Sequence, residues 1–534
     1  MQTIGGPTAF WKSALPGSFL VWLGLLAGCQ PPGSPAGPPP VPSVKIAIPS
    51  GPSSLDPHMV AEEVNNNLCH HLFDPLVFLN QNFKVVPWVA SAWQNPDAVT
   101  WIFTIRSDIR FHDGTPLTID DVVFSLERIR RTPNSPRKIL LNSIREVAVL
   151  DRQRLKITTH TPYMPLLNKL AQIMVVPAHY YRDREVEDVR FEPLGSGPYR
   201  AVRIRPGTEI RLEAWPEYWR GPQSPRQVQF VFVPGEELRT RMLLTGQADL
   251  IREPAPSLLQ DLQGSKDFEV RISRGLRLMY LGLSCRERML DGTTNPFAGK
   301  EIRQAISRAI DRRSLAADSL QRLAEPAEQP VSPYVFGYNP KLRVIPYDPA
   351  AAGERLRQNG FPSGRVFRCF YPEGKYYRIR ELVGALCRQL SAVGVKWQPS
   401  PVEQQEFARR NFLEEGHDVF VSGWLAISGD ASDYFDYCFY TRGQKAGYGY
   451  FNYIRYSNPW LDQRIEESAA CADRDKRLRL LQDMMVVVQE EMVWVPLIFL
   501  KDSYAFRRGL AWTPRPDRYI LLFEPAAPAG LGPR

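Results

Sequence analysis

Cysteine is scarce in this chain and poorly placed for chemistry: there are seven in 534 residues, and no two are spaced Cys-x-x-Cys. That leaves a zinc ribbon or a dithiol redox centre without support. Gly-x-Ser-x-Gly, His-Glu-x-x-His and the phosphate-cradling Gly-x-x-x-x-Gly-Lys-Ser/Thr are missing too. Nucleophilic, zinc-hydrolase and nucleotide chemistry therefore lack their usual marks, and no cofactor is implied. No dense Lys/Arg tract with interleaved aromatics occurs, which sets nucleic acid aside as a partner. Net charge is +9, and only Lys12 among the charged residues precedes Cys29, so 65 basic and 57 acidic residues remain beyond it. Over such a length that imbalance is mild. It permits attraction to an anionic surface or an acidic ligand without demanding either.

What is abundant is proline, 48 residues, and tryptophan, 12. Prolines at that density imply long ordered connections, and tryptophans build cores or line pockets. The chain is too long for one hydrophobic core, so two or three domains are expected. Residues 13–28, SALPGSFLVWLGLLAG, form an apolar uncharged run behind Lys12. It falls short of the roughly 20 residues of a spanning helix and fits the hydrophobic region of a signal peptide, assigned to residues 1–28. The run ends in Leu26-Ala27-Gly28-Cys29, which resembles a bacterial lipobox and makes Cys29 the expected site of lipidation. Residues 29–43 then read CQPPGSPAGPPPVPS, a polyproline spacer of about 3.1 Å per residue between anchor and globular body. Acyl chains acting together hold such a protein firmly at a membrane. The six other cysteines (Cys69, Cys285, Cys369, Cys387, Cys438 and Cys471) are read either as buried thiols or as one or two bridges.

Along the body, strand and helix signals mix. Val44 to Ile48 alternates as a strand, and Thr100 to Arg106 places Trp101, Phe103 and Ile105 on one face. Asp113-Gly114 supplies a turn, and Thr118 with Asp121 makes a capping box before the helical stripe Val122, Leu126, Ile129. Further stripes are Ile302, Ala305, Ile306, Ala309, Ile310, then Leu382, Leu386, Leu390, Val393, and finally Leu478, Leu481, Met485, Val488. Without a short repeat, the class is α/β or α+β with several domains.

Separated segments in consistent order resemble the periplasmic solute-binding proteins that serve peptide and nickel importers. They include Ser54-Leu55-Asp56-Pro57, Asn67, Leu72 to Leu76 (LFDPL), Pro87 to Trp93 (PWVASAW) and Phe111 to Val123. Gly195 to Tyr199 (GSGPY), Glu217-Tyr218-Trp219, Gly246 to Asp249, Ile302 to Arg312, Tyr347 to Pro349, Gly423-Trp424 and Pro496-Leu497 follow. The resemblance covers about residues 44–510. It implies a two-lobed, three-domain clamp that closes on its ligand. Residues 44–72, 193–275 and 495–534 would form a discontinuous sheet domain, with 73–192 an extra domain of the same lobe. Residues 276–494 would form the second lobe. The implied partners are a small peptide or similar solute, the permease and ATPase of an ATP-binding-cassette importer, and the membrane through the anchor; the chain is expected to be a monomer.

In peptide-binding members a Gly-Trp pair precedes, by three residues, an Asp that receives the ligand's ammonium. Here that position is Ile427, and the next acid is Asp430. A slip of up to three residues would put Asp430 in the clamp role. Trp424 is read evenly as an aromatic wall or as core. Without the carboxylate, a free-amine peptide would lose about 3–5 kcal/mol of buried pairing, so amine-blocked peptides, sugar oligomers, metal chelates and other compact solutes stay open. His112-Asp113 is read as turn chemistry rather than a catalytic pair, and His70-His71 as structural rather than metal-binding. A receptor without catalysis is the leading expectation. The alternatives are a ligand sensor for a membrane signalling protein and a secreted hydrolase using carboxylates in the cleft.

Overall fold

The computed structural model describes residues 43–321, 323–343, 345–412 and 416–523. The signal segment, Cys29 and the spacer up to residue 42 lie outside these residues. Among those described, no helix is long and apolar enough to cross a membrane.

One mixed sheet runs through both lobes. From one edge its strands are Lys396–Val402, Val366–Pro372, Val419–Leu425, Phe268–Leu283, Val495–Arg507, Leu250–Arg252, Ser43–Ile48, Gln227–Phe232, Glu209–Ala214 and Tyr199–Arg205, and Ala324–Pro326 pairs beside Val495–Arg507. Among the described strands, two antiparallel ones, Phe268–Leu283 and Val495–Arg507, are long enough to belong to both halves. Their register runs from Phe268 opposite Arg507 to Leu281 opposite Val495, and it slips between Arg274 and Leu278. Gly275 sits in that slip, where a Cβ would run into the Leu500 carbonyl. A strand pair with a local irregularity can bend there without breaking the rest of its ladder.

Ala90–Asp97, Thr100–Ile105, Arg154–Thr159 and Ile144–Val149 form a separate four-stranded antiparallel sheet. Strand alternation places Trp101, Phe103 and Ile105 inward against Leu126 and Ile129 of the helix Ile119–Arg131. The Thr118 and Asp121 capping box opens that helix as expected. In the second lobe the stripe Leu382, Leu386, Leu390 lies inside the helix Ile379–Ser391 and packs with Ile302 and Ile306 in one core. Two stripes outlast their helices. Lys300–Arg308 ends before Ala309 and Ile310, and Ile379–Ser391 ends before Val393, yet the trailing apolar residues still pack. The six described cysteines are free thiols.

The segments that carry the resemblance converge on structural carboxylates. Asp74 of the LFDPL segment is buried and accepts hydrogen bonds from Trp88 Nε1 (2.6 Å), Ser196 Oγ (2.9 Å), Tyr218 Oη (3.0 Å) and Trp219 Nε1 (3.3 Å). Four blocks spread over 145 residues thus meet at one side chain, whose carboxyl burial pushes up to about 6. Asp56 is held bidentately by Arg128, at 3.0 and 2.6 Å. His112 shares a hydrogen bond with the Gly197 carbonyl at 3.0 Å, and burial lowers its pKa to about 4. Asp113 turns away to His179, 2.8 Å distant, so His112 and Asp113 do not act as a pair. His70 and His71 are buried among aromatic rings, and no metal-ligating cluster occurs among the described residues.

Candidate functional site

The strand Val419–Leu425 lies beside the hinge strand, with Trp424 opposite Leu278 and Leu425 opposite Arg277. Beyond Leu425 the chain leaves the sheet. Asn168 of the first lobe donates to the Ser428 carbonyl at 2.8 Å. Trp424 and Ile427 are half-buried on this stretch.

Trp424 stands in an aromatic wall with Phe451 (5.2 Å between ring centres), Tyr434 and Trp494 (both 6.4 Å). Its indole Nε1 and the Tyr434 hydroxyl are buried and have no hydrogen-bond partner among the described residues. A buried donor without an acceptor costs about 1–3 kcal/mol, and this wall holds two of them.

Asp430 is not available for a ligand ammonium. Both its oxygens accept from Arg477, each at 2.7 Å, and Oδ1 also accepts from Ser432 N at 2.9 Å. Burial works against its charge, yet the Arg477 guanidinium holds the carboxyl below its ordinary range. Arg477 lies 47 residues away on the helix Arg474–Glu490, a partner no local pattern announces.

At the base of the seam stands a charged cluster that sequence reasoning missed. Glu63 opens the helix Glu63–Leu72, where an acid also suits the helix dipole. It accepts from Arg252, from Arg277 at 3.1 Å and from Arg518 at 3.0 Å. Burial opposes its ionisation, and the three guanidiniums overcome it, bringing the pKa down to about 2. Arg518 also reaches Glu253 (2.7 Å) and Asp502 (2.7 Å). Glu253 and Arg518 both have left-handed backbones, φ 54° and 72°, a cost of about 1–3 kcal/mol each that their surroundings must hold. Arg277 lies in the register slip of the strand Phe268–Leu283, so its bond to Glu63 ties that slip to the helix Glu63–Leu72. No spacing in the sequence signals this cluster; its members come from five distant segments.

The family model described as bacterial extracellular solute-binding proteins, family 5, middle region, matches residues 84–446. A glutathione-binding protein, GsiB of Pectobacterium atrosepticum, is 25% identical over 460 residues, covering 84% of this chain and 87% of its own. Among solved structures, the oligopeptide-binding protein AppA of Bacillus subtilis in complex with a nonapeptide superimposes with a TM-score of 0.77 at 19% identity, over 90% of this chain and 98% of that one. The binding protein AgaA of Agrobacterium tumefaciens R10 in complex with agropinic acid gives 0.76 at 22% identity, over 89% and 95%.

Proposed function

The chain belongs to the family 5 bacterial extracellular solute-binding proteins, and from that membership we propose that it is a lipid-anchored receptor that encloses a peptide-like or other compact solute against Trp424 and Ile427. Members of this family work alongside the permease and ATPase of ATP-binding-cassette importers and are not enzymes. Anchoring at Cys29 and delivery to one such importer are the finer parts of this reading. They rest on the Leu26-Ala27-Gly28-Cys29 box and the proline-rich spacer behind it. We assign residues 44–72, 193–275 and 495–534 to a sheet domain, 73–192 to an extra domain and 276–494 to the second lobe. The separate hydrophobic cores around Phe103 and Leu386 support setting 73–192 apart from 276–494.

The observation that carries the reading is the pair of buried, unpartnered donors, Trp424 Nε1 and Tyr434 Oη, in an aromatic wall at the interlobe seam. They suit a solute rich in acceptors, such as carbonyls or carboxylates, with an apolar portion against the rings. Ile427 offers no countercharge to an ammonium, and Asp430 is committed to Arg477 rather than facing a ligand. Relatives named for glutathione or solved with a nonapeptide keep peptides within the solute class, and one solved with agropinic acid supports widening it beyond them.

Mass spectrometry of protein gently extracted from membranes tests both parts together. We expect an acylated Cys29 and one small solute that leaves chemically unchanged. An unlipidated chain in the soluble fraction would remove the anchor from the reading. A product formed from the solute, and lost on mutating a cleft carboxylate, would overturn the receptor.

A further inference from the structure

Besides the hinge, the lobes meet in a sealed patch that uses neither Trp424 nor Ile427. Lys169 of the first lobe has no exposed surface, and its Nζ lies 2.5 Å from Asp433 Oδ1 of the second. Burial works against the ammonium, but Asp433 more than offsets it and raises the pKa. The same Nζ sits 4.5 Å above the Tyr437 ring. Tyr163 donates its hydroxyl to Asp436 Oδ2 at 2.6 Å, Asn168 donates to the Ser428 carbonyl, and Met164 N donates to the Ala469 carbonyl at 2.7 Å. Two side chains of the first lobe seat on glycines of the second, Phe83 on Gly429 and Asn142 on Gly447. Gly429 has φ 68°, and any Cβ there would run into the Phe83 ring, so this position suits only glycine.

Each of these contacts joins segments far apart in the chain, 260 to 273 residues for the three side-chain bonds, and parting the lobes would break all of them. We propose that Tyr163, Asn168 and Lys169 form a latch with Asp436, Ser428 and Asp433 that fixes one register of closure and sets how long the clamp stays shut on its solute. The inference rests on the receptor reading for its purpose, and its bonds use side chains other than Trp424 and Ile427.

The physical logic is asymmetric. A buried ion pair gains little over its hydrated, separated ions, but removing one member leaves the other buried and unpaired. The shut form alone bears that penalty, because in the open form both groups face water. Lys169→Met should therefore open the clamp, and adding Asp433→Asn should restore much of its closure. The double variant has no stranded charge, and its side-chain amide oxygen can still accept from Ser428 N as the Asp433 carboxylate does.

Small-angle X-ray scattering of the full chain as purified reads the result. The wild type should match the profile of the shut form, and Lys169→Met should lower the closed-to-open ratio by about a hundredfold. The double variant should return most of the way. Far-UV circular dichroism checks that each variant is folded. Should Lys169→Met fail to fold, Tyr163→Phe removes only one hydroxyl and should give a smaller opening. An open wild type, an unchanged Lys169→Met profile, or a double variant no better than the single would each overturn the latch. Native mass spectrometry of the same samples reports retained solute separately, so a receptor that holds nothing is distinguished from a latch that does not hold.

Discussion

The two charged patches that join the lobes are built on opposite plans. At the hinge, Glu63 gathers Arg252, Arg277 and Arg518, and Arg518 in turn holds Glu253 and Asp502. These groups gather beside the register slip of the long strand pair, so a bend there would leave them near one another. At the latch, Lys169 and Tyr163 reach across to Asp433 and Asp436, and the proposed opening would separate them. Acids and guanidiniums at a pivot stabilise the fold, whereas the same chemistry across a seam stabilises one conformation of it. Energetic worth therefore depends on what each group does when the lobes part, and a list of short distances does not contain that information.

The sharpest way to break this contrast is at Glu63. Glu63→Gln removes the charge on which three guanidiniums converge, and we expect unfolding stability to fall by about 2–3 kcal/mol. Urea denaturation reads that loss. The scattering profile should stay that of the shut form, because the cluster does not discriminate open from closed. If Glu63→Gln opened the clamp as Lys169→Met is expected to, the hinge and latch would be one coupled device and the distinction would fall.

The sequence shows the parts of this molecule that are made locally. The Thr118–Asp121 capping box, the alternation of Trp101, Phe103 and Ile105, and the stripe through Leu382 to Leu390 each depend on neighbours within a few residues, and each is found in place. The collinear segments were legible as a pattern but not as a purpose. Only the fold reveals that LFDPL, PWVASAW, GSGPY and EYW meet at Asp74. The site was less legible still. Asp430 reads as a free carboxylate until Arg477 is seen to occupy it, and Lys169 gives no hint in sequence of a partner 264 residues away. Long-range pairs leave no periodic trace, since their spacing is set by topology rather than by helix or strand geometry.

A smaller effect is expected at the ligand wall, which should move selectivity and leave both patches alone. Ile427→Asp places a carboxylate beside Trp424, where a ligand ammonium could be met. Peptides with free amino ends should gain about tenfold in affinity over their acetylated forms, or about 1.4 kcal/mol. In the wild type, acetylation should leave affinity unchanged or improve it. Calorimetric titration with matched pairs decides between these outcomes. A wild type that binds free-amine peptides tightly and loses them on acetylation would show that a group other than Ile427 or the occupied Asp430 serves as the clamp.

The smallest expected effect is a response to pH, and a substitution assigns it to the latch or to the hinge. Asp436 faces Tyr163 and Lys169 across the seam and Asp430, Arg477, Tyr437 and Tyr448 within its own lobe. Burial pushes its carboxyl up to about 6, with Lys169 and Tyr163 pulling the other way. With Asp430 on Arg477 and Asp433 on Lys169, an ionised Asp436 is a third carboxylate against two cations in a sealed patch. Opening returns it to water and to an ordinary carboxylate pKa near 3.8. The shut form thus holds this proton more tightly than the open one. Its advantage is complete below the ordinary value and disappears as pH rises through about 6. From about pH 7.5 to about pH 5.5 the closed-to-open ratio should rise about fourfold, and Asp436→Asn should flatten that slope. Glu63 contributes nothing over this range, because a pKa of about 2 keeps it ionised throughout, and its stabilisation is lost only as pH falls from its ordinary 4.5 through about 2. Asp502, at the hinge, is also raised to about 6 by burial, so the wild-type slope alone does not assign the effect. The Asp436→Asn variant does. A slope that survives that substitution would place the proton at Asp502 instead, and the hinge, not the seam, would then be the part of this clamp that senses acid.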